Sequence, residues 1–464
     1  MMTKTHLPFF LCFLLVSLTS VLVANDPINN PEPEALYAKY CGSCHGRKLE
    51  SFKSRTWTMG QTEKAITAVV QKGIADKGMP AFEKTIDQKQ SEELAAYILT
   101  QSKLPQEISK EVDLYSTREM RIATETIFTG AQVPWDIESL PDSSLLISDR
   151  DGELFIWQQN GSSSSINGVP VVHSKGQGGL LDICLHPEFE KNHQLYISYS
   201  KPVVVDGKNW STTAVIKATL EKGRLENVVE IFEAQPYFPT NHHYGSRMAF
   251  DKQGYLYISV GDRGRENENP QNLESDCGKI HRLKEDGSIP EDNPFYQTPR
   301  TRKSIFTYGH RNPQGIAFEE STGKMWVNEH GPRGGDEVNI LAAGNNYGWP
   351  ITCYGINYDG STITQDKTKE GITNPEVVWI PSIAPCDGSF VTSDMYYPWK
   401  GNFLVPSLSF SYLNRCIVKA GKVVDQEKLF EDIGRMRSIE EGNDGFIYLG
   451  LENPGRVVRL RPLW

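Results

Sequence analysis

The chain has 464 residues, 38% of them hydrophobic and 23% charged, more than one ordinary core accommodates and in keeping with a folded protein of two domains. Its formal net charge of −10 excludes the basic footprint that nucleic acid selects, so no nucleic-acid partner is expected. With 39 glycines and 27 prolines, a turn-rich β fold is favoured over a helical bundle.

Lys4 and His6 precede an apolar run over residues 7–23 that exits at Ala24. A basic start, an apolar core and a small exit residue predict a signal peptide over residues 1–24, and hence a periplasmic or secreted protein. The run is also long enough to persist as a membrane anchor if it is not cleaved. Cys12 lies in this leader. Beyond the pair Cys41 and Cys44, the cysteines at 184, 277, 353, 386 and 416 are odd in number, so at least one is unpaired within the chain. Buried free thiols are the simplest reading.

EALYAKYCGSCHG places Leu36, Tyr37 and Tyr40 at helical spacing just ahead of the first cysteine. QTEKAITAVVQKG predicts a second helix stopped by Gly73, and SEELAAYILTQS a third with Ser91 as its N-cap. A three-helix unit over residues 31–105 is small enough to need a staple or a cofactor. The cysteine motif decides which. A closed zinc shell takes four ligands, and no second CxxC or HxxxH lies in this region. A dithiol redox pair has no use for the histidine that follows. Covalent haem needs this spacing: Cys41 and Cys44 for the two vinyl groups, then His45 as an axial ligand of iron. KGIADKGMPAF supplies Met79, between Gly78 and Pro80, as a soft sixth ligand that raises the iron potential; Met59, in WTMG, has weaker context. With CGSCH, GMPAF and the LAAYI helix in that order, the segment resembles the class I cytochromes c. The resemblance implies an all-α electron carrier with covalent haem c.

From residue 122 to 464 the texture changes. SSLLISDRDGELFIW, HQLYISYS, GYLYISVGDRG, GKMWVNEHGP, GNFLVPSL and DGFIYLGLE each read as a turn, an apolar alternating strand and a polar exit. Six such copies at blade spacing predict an all-β, six-bladed β-propeller, with the polar exits gathered around one mouth. Dense polar clusters fall between these strands. They hold Gln177; His242, His243 and Arg247; Asp262; His310, Arg311 and Asn312; Glu329, His330, Gly331, Pro332, Asp336 and Glu337; and Arg435 with Arg437. An acid, a histidine and several arginines make a general base beside an anion-holding pocket.

The order GQGGLL, HYGSR, VGDRG, GHRNPQG, EHGP with GGDE, NNYGWP, PSIAP and GRMR resembles the soluble aldose sugar dehydrogenases dependent on pyrroloquinoline quinone (PQQ), the glucose/sorbosone dehydrogenase family. The resemblance implies roles. His243 falls at the general base, Asp262 at the carboxylate that orients it, and Arg311 at the arginine that polarises the quinone carbonyl. Asn312 and Gln177 fall at cofactor or substrate contacts, and Arg435 and Arg437 at the pair holding PQQ carboxylates. The carbonyls of Gly331 and Pro332 fall at a Ca2+ site beside PQQ, and Glu337 with Tyr347 at a second one. Ser409 departs from the pattern, since a lysine contacting PQQ often stands there. Lys400 lies too early to replace it, and Arg415 matches another position. Cofactor retention would then rest on Arg435, Arg437 and calcium. His242 is not the acidic neighbour seen in some members, which leaves the sugar open.

The expectation is an exported quinohaemoprotein that oxidises an aldose or related polyol and passes electrons through haem to an external respiratory acceptor. Its rival is a non-catalytic ligand-binding propeller fused to a cytochrome c.

Overall fold

A computed structural model describes residues 32–45, 49, 52, 60–74, 79–102 and 112–463. The leader 1–24, Met59, the side chain of Cys44, and residues 31 and 103–105 of the expected first domain lie outside the described residues.

The N-terminal unit is helical. Pro33–Leu36 is followed by a π-helical turn, Tyr37–Cys41, and by Gly42–His45. The π turn inserts one residue into the helical ladder, a feature frequent at functional sites. Glu63–Lys72 starts at Thr62, whose hydroxyl accepts from Ala65 N, and stops at Gly73 as expected. Gly73 has φ of +69°, and a Cβ there would lie 2.6 Å from the Met79 carbonyl, so only glycine lets the methionine loop fold back this closely. That loop is pinned by paired backbone bonds between Ile74 and Met79. The third helix, Gln88–Ser102, begins earlier than its sequence suggests. Asp87 caps it: its carboxylate accepts from Gln90 N, and Gln90 Oε1 accepts from Asp87 N, a reciprocal capping box. Ser91, the expected cap, is buried inside the first turn and donates back to the Asp87 carbonyl. Leu36, Tyr37, Cys41, Val70, Leu94 and Ile98 share one core, with Met79 packed on its edge.

Six antiparallel sheets follow. Five have four strands each, over residues 134–165, 180–233, 248–308, 313–379 and 389–429. The last joins the C-terminal strands Arg435–Glu441, Ile447–Glu452 and Arg456–Leu463 to Arg121–Phe128 and Asp113–Ser116. The first strand of each sheet packs on the first strand of the next, and Arg435–Glu441 returns to Pro134–Ser139, closing a six-bladed propeller. Each of the six repeated phrases supplies the second strand of one blade. Those strands do not alternate as expected. Leu145–Asp149, Leu256–Val260 and Ile447–Glu452 are buried at every residue, because blades stack on both of their faces. Alternation toward solvent survives at the outer end of Gln194–Val205.

The ring is tied at its axis by Arg247, which is 2% exposed. Its guanidinium donates to Asp136, Asp182 (2.6 Å) and the carbonyls of Trp135, Gln314 and Arg437, and lies 3.4 Å from Asp387. One side chain thus reaches every other blade. The cysteines at 184, 277, 353, 386 and 416 are all free thiols, and all but the half-buried Cys184 are buried.

Candidate active site at the propeller mouth

The second strands of the blades end in Asp149, Glu329 and Glu452, and Asp262 follows Val260 by two residues. These exits share one face of the ring. His243 is held there with φ of +55°, its backbone N–H donating to Gln177 Oε1 at 2.8 Å. Gly261 leaves room for this strained turn, since a Cβ there would sit 2.3 Å from the His243 carbonyl. His243 Nδ1 lies 2.6 Å from Asp262 Oδ1, and the other carboxylate oxygen accepts from Trp349 Nε1 at 2.8 Å. Asp262 Oδ1 also accepts from Gly264 N. The imidazole is therefore oriented from behind with Nδ1 as the protonated nitrogen, leaving Nε2 as the acceptor.

Burial and the Arg311 charge push His243 below its ordinary 6.5, against the opposing pull of Asp262. Burial alone would raise Asp262, but His243 and Arg311 outweigh it and hold the carboxyl below its usual range. A neutral imidazole beside a permanent carboxylate is the resting state of a general base. In cofactor-free protein, His243 is expected to titrate below 6.5 by NMR. Asp262→Asn is expected to move it lower still, because it removes the charge that raises it. An upward move would dissolve the pairing.

Arg311 comes from the loop leading into blade 4. Its backbone N–H donates to Glu329 Oε2, and its Nη1 donates to the carbonyls of Gly331 (2.8 Å) and His330 (3.2 Å). Asn312 Oδ1 accepts from Gly245 N, two residues from the histidine. Asp336 fixes the 331–335 loop by accepting from Gly331 N, Ser382 Oγ and Ala384 N. The Pro332 carbonyl accepts from Ser382 Oγ at 3.1 Å. Glu337 is cross-strand from Glu329, which accepts from His310 Nδ1, and Tyr347 stacks on the His310 ring at 4.8 Å. Glu337 and Tyr347 thus belong to one network. Among the described residues no three His, Cys, Asp or Glu side chains cluster as metal ligands.

Arg435 and Arg437 both turn to Glu452, at 3.4 and 2.8 Å, and Arg435 also donates to the Leu408 carbonyl. Arg437 Nη1 touches Gln314 Oε1 at 3.4 Å, and Gln314 in turn touches Asn312 and the Gly245 carbonyl. The arginine pair and the histidine are therefore joined by one chain of contacts. Ser409 is buried, and its backbone N–H donates to the Ile383 carbonyl. Arg415 is spent on Glu119 and Glu427, away from this pocket. On the haem side, Cys41 is in the core, Met79 lies at its edge and His45 stacks on Phe52 at 4.7 Å.

Three members of the site were not anticipated. Trp349 lies in NNYGWP and Gln314 in GHRNPQG, motifs whose expected roles fell on Tyr347 and on Arg311 and Asn312 instead. Arg150, in the SDRDG turn, is close enough to Arg437 and Glu452 for their charges to pull its pKa in opposite directions, while burial pushes it down. His242 and His330 are each pushed down to about 3, chiefly by burial, and His330 Nε2 already faces the Pro385 carbonyl.

The profile of the Glucose / Sorbosone dehydrogenase family matches residues 131–459, and that of the cbb3-type cytochrome c oxidase subunit III matches residues 29–98. The aldose sugar dehydrogenase YliI of Escherichia coli is 37% identical over 337 residues, 71% of this chain and 90% of that protein. Quinoprotein glucose dehydrogenase B of Acinetobacter calcoaceticus is 31% identical over 45% of this chain and 48% of its own length. The crystal structure of the soluble E. coli aldose sugar dehydrogenase in its apo form superposes with a TM-score of 0.70 at 34% identity, covering 74% of this chain and all of that one. A buried histidine–carboxylate pair at the mouth of a six-bladed ring, preceded by a cytochrome c segment, accords with these matches: the chain belongs to the glucose/sorbosone dehydrogenase family and carries a cytochrome c domain ahead of the propeller.

Proposed function

We propose that the chain is an exported quinohaemoprotein that oxidises an aldose or related polyol with PQQ and sends the electrons to haem c. The observation that carries the reading is the His243–Asp262–Trp349 relay placed beside Arg311. The name of the Acinetobacter relative supports a quinone as cofactor.

The residues fit the cofactors. PQQ is a planar tricarboxylate, and Arg435 and Arg437 converge on the one carboxylate of Glu452, with the charge of Arg150 also acting there; bidentate guanidinium contacts suit such an anion. Arg150 supplies a cation that offsets the lysine missing at Ser409. When bound, PQQ supplies a two-electron hydride acceptor. The carbonyls of Gly331 and Pro332 each accept a single hydrogen bond from a side chain, so each keeps oxygen capacity for Ca2+. Cys41 and Cys44 would hold haem, with His45 and Met79 on the iron.

His243 Nε2 takes the proton of the anomeric hydroxyl as hydride leaves the adjoining carbon. Asp262 keeps Nδ1 protonated and stabilises the imidazolium that forms. Gln177 and Gly261 hold the histidine backbone in place. Arg311 aims its positive charge into the pocket. Sugar as substrate and a respiratory one-electron acceptor as partner complete the proposal, with the 1–24 segment directing export.

Reconstitution of the purified chain with PQQ and Ca2+, followed by a panel of aldoses, tests it. Reduction of the haem absorption bands is the expected result. Haem that stays oxidised across the panel, with no quinone retained, would favour the non-catalytic propeller.

A further inference from the structure

The cytochrome segment touches the propeller at one side of its mouth. Arg333 leaves the same loop whose Gly331 carbonyl accepts from Arg311. Its backbone exchanges two 3.1 Å hydrogen bonds with Ile356. A Cβ on Gly355 would lie 2.2 Å from the Gly334 carbonyl, and one on Gly335 would lie 2.8 Å from Gly355 N. The 331–335 loop and the 353–356 segment are thus packed backbone to backbone as one rigid platform. On this platform the Arg333 guanidinium stands 5.6 Å from the centroid of the Tyr40 ring. Tyr40 lies in the π turn directly before Cys41 and packs edge-on against Phe82, three residues beyond Met79. The charge of Lys84, in the helical unit, also acts on the propeller's Asp359. The Asp359 carboxyl is held below its usual range first by hydrogen bonds from Ser361 and also by the Lys84 ammonium of the helical unit.

We infer that Arg333 on Tyr40 is the docking contact between the haem domain and the propeller and the exit by which electrons leave the candidate active site. The inference rests on the proposed sugar oxidation. Oxidation of an aldose at its anomeric carbon to the lactone breaks one C–H and one O–H bond and yields two electrons and two protons. The electrons cross one at a time, each reducing ferric haem to ferrous haem, which a one-electron acceptor outside the chain reoxidises. The hydroxyl proton passes through His243 to solvent; the C–H hydrogen leaves as hydride and would be released as the second proton when the reduced quinone gives up its two electrons. Arg333 is a positioning residue, because it touches neither sugar nor iron. A cation over an aromatic face is worth little when solvated and more when desolvated, and the tether keeps the two domains at high effective concentration.

The test uses the full chain with haem, reconstituted with PQQ and Ca2+. Arg333→Glu and, separately, Asp359→Lys are compared with the unaltered chain, and Arg333→Lys serves as the conservative variant. Three quantities are read: haem reduction by aldose in stopped flow, aldose oxidation coupled to a small soluble dye, and amide hydrogen exchange over residues 37–41 and 353–359. Arg333→Glu is expected to slow haem reduction by about tenfold, to leave dye-coupled oxidation within about twofold, and to raise exchange in both segments. Arg333→Lys is expected to recover most of the rate. Unchanged haem reduction together with unchanged exchange in both Arg333→Glu and Asp359→Lys would overturn the inference. Absence of any haem or dye reduction in the unaltered chain would instead refute the sugar oxidation, and the exchange data would still decide whether the contact exists.

Discussion

His243→Ala is expected to lower kcat/KM for aldose oxidation by about a thousandfold, the scale of a lost general base, while haem incorporation is unaffected. The imidazole is set up for proton abstraction alone. It is neutral at pH 7, its Nδ1 is committed to Asp262, and its Nε2 has no other partner among the described residues. Removing it leaves the arginines and the pocket intact, so cofactor retention should persist, and the loss should appear in kcat rather than in PQQ content. Asp262→Asn should lose less, because the ring remains but its tautomer is no longer imposed. Two neighbours offer a control. His242 packs edge-on against His243 at 4.7 Å and His330 faces the Pro385 carbonyl, and neither has a carboxylate partner among the described residues. Alanine at His242 should therefore leave most of the rate. The measurement is aldose oxidation by dye and by haem reduction in parallel. Activity that survives in His243→Ala but disappears in His242→Ala would move the base by one residue.

Much of this was legible because local chemistry repeats. Six turn–strand–exit phrases marked six second strands, and the ring followed from them. His243 and Asp262 stood out as an acid and a base in polar strand exits, and the resemblance of their motifs joined them. The unread part depends on contacts between blades. Trp349 reaches Asp262 across 87 residues, and nothing in NNYGWP announces that its indole finishes a catalytic relay. Arg150 sits in a turn that reads as a turn; its charge matters because the last blade brings Arg437 beside it. The full burial of Leu145–Asp149, Leu256–Val260 and Ile447–Glu452 was hidden for the same reason, since alternation records one solvent face and a propeller blade has none near its axis. Ser91 looked like a cap because serine often is one, but Asp87 with Gln90 makes the stronger reciprocal pair and starts the helix earlier.

Arg247 shows how a residue in a catalytic motif can serve another purpose. It lies four residues after His243 in HYGSR and reads as one more pocket arginine, yet it is the hub of the ring. Arg247→Ala is expected to destabilise the propeller by about 3–5 kcal/mol, because it strands buried carboxylates that have no other countercharge of this quality. Asp136 is already pushed up to about 7, first by burial, although Arg247 pulls it down. A carboxyl raised in the folded state binds more protons there than when unfolded, so its contribution to stability is full at low pH and is lost as pH rises toward about 7. Without Arg247 the carboxyl rises further, and the penalty of the substitution should grow from about pH 5 to about pH 8. Chemical denaturation of the full chain at both pH values measures this, with the unfolding rate as the readout if refolding fails. Asp182→Asn added to Arg247→Ala should recover part of the loss, since it removes a stranded charge 2.6 Å from the vacated guanidinium. A loss below about 1 kcal/mol that does not change with pH would mean that the blades close without this hub, and that the arginine belongs to the pocket after all.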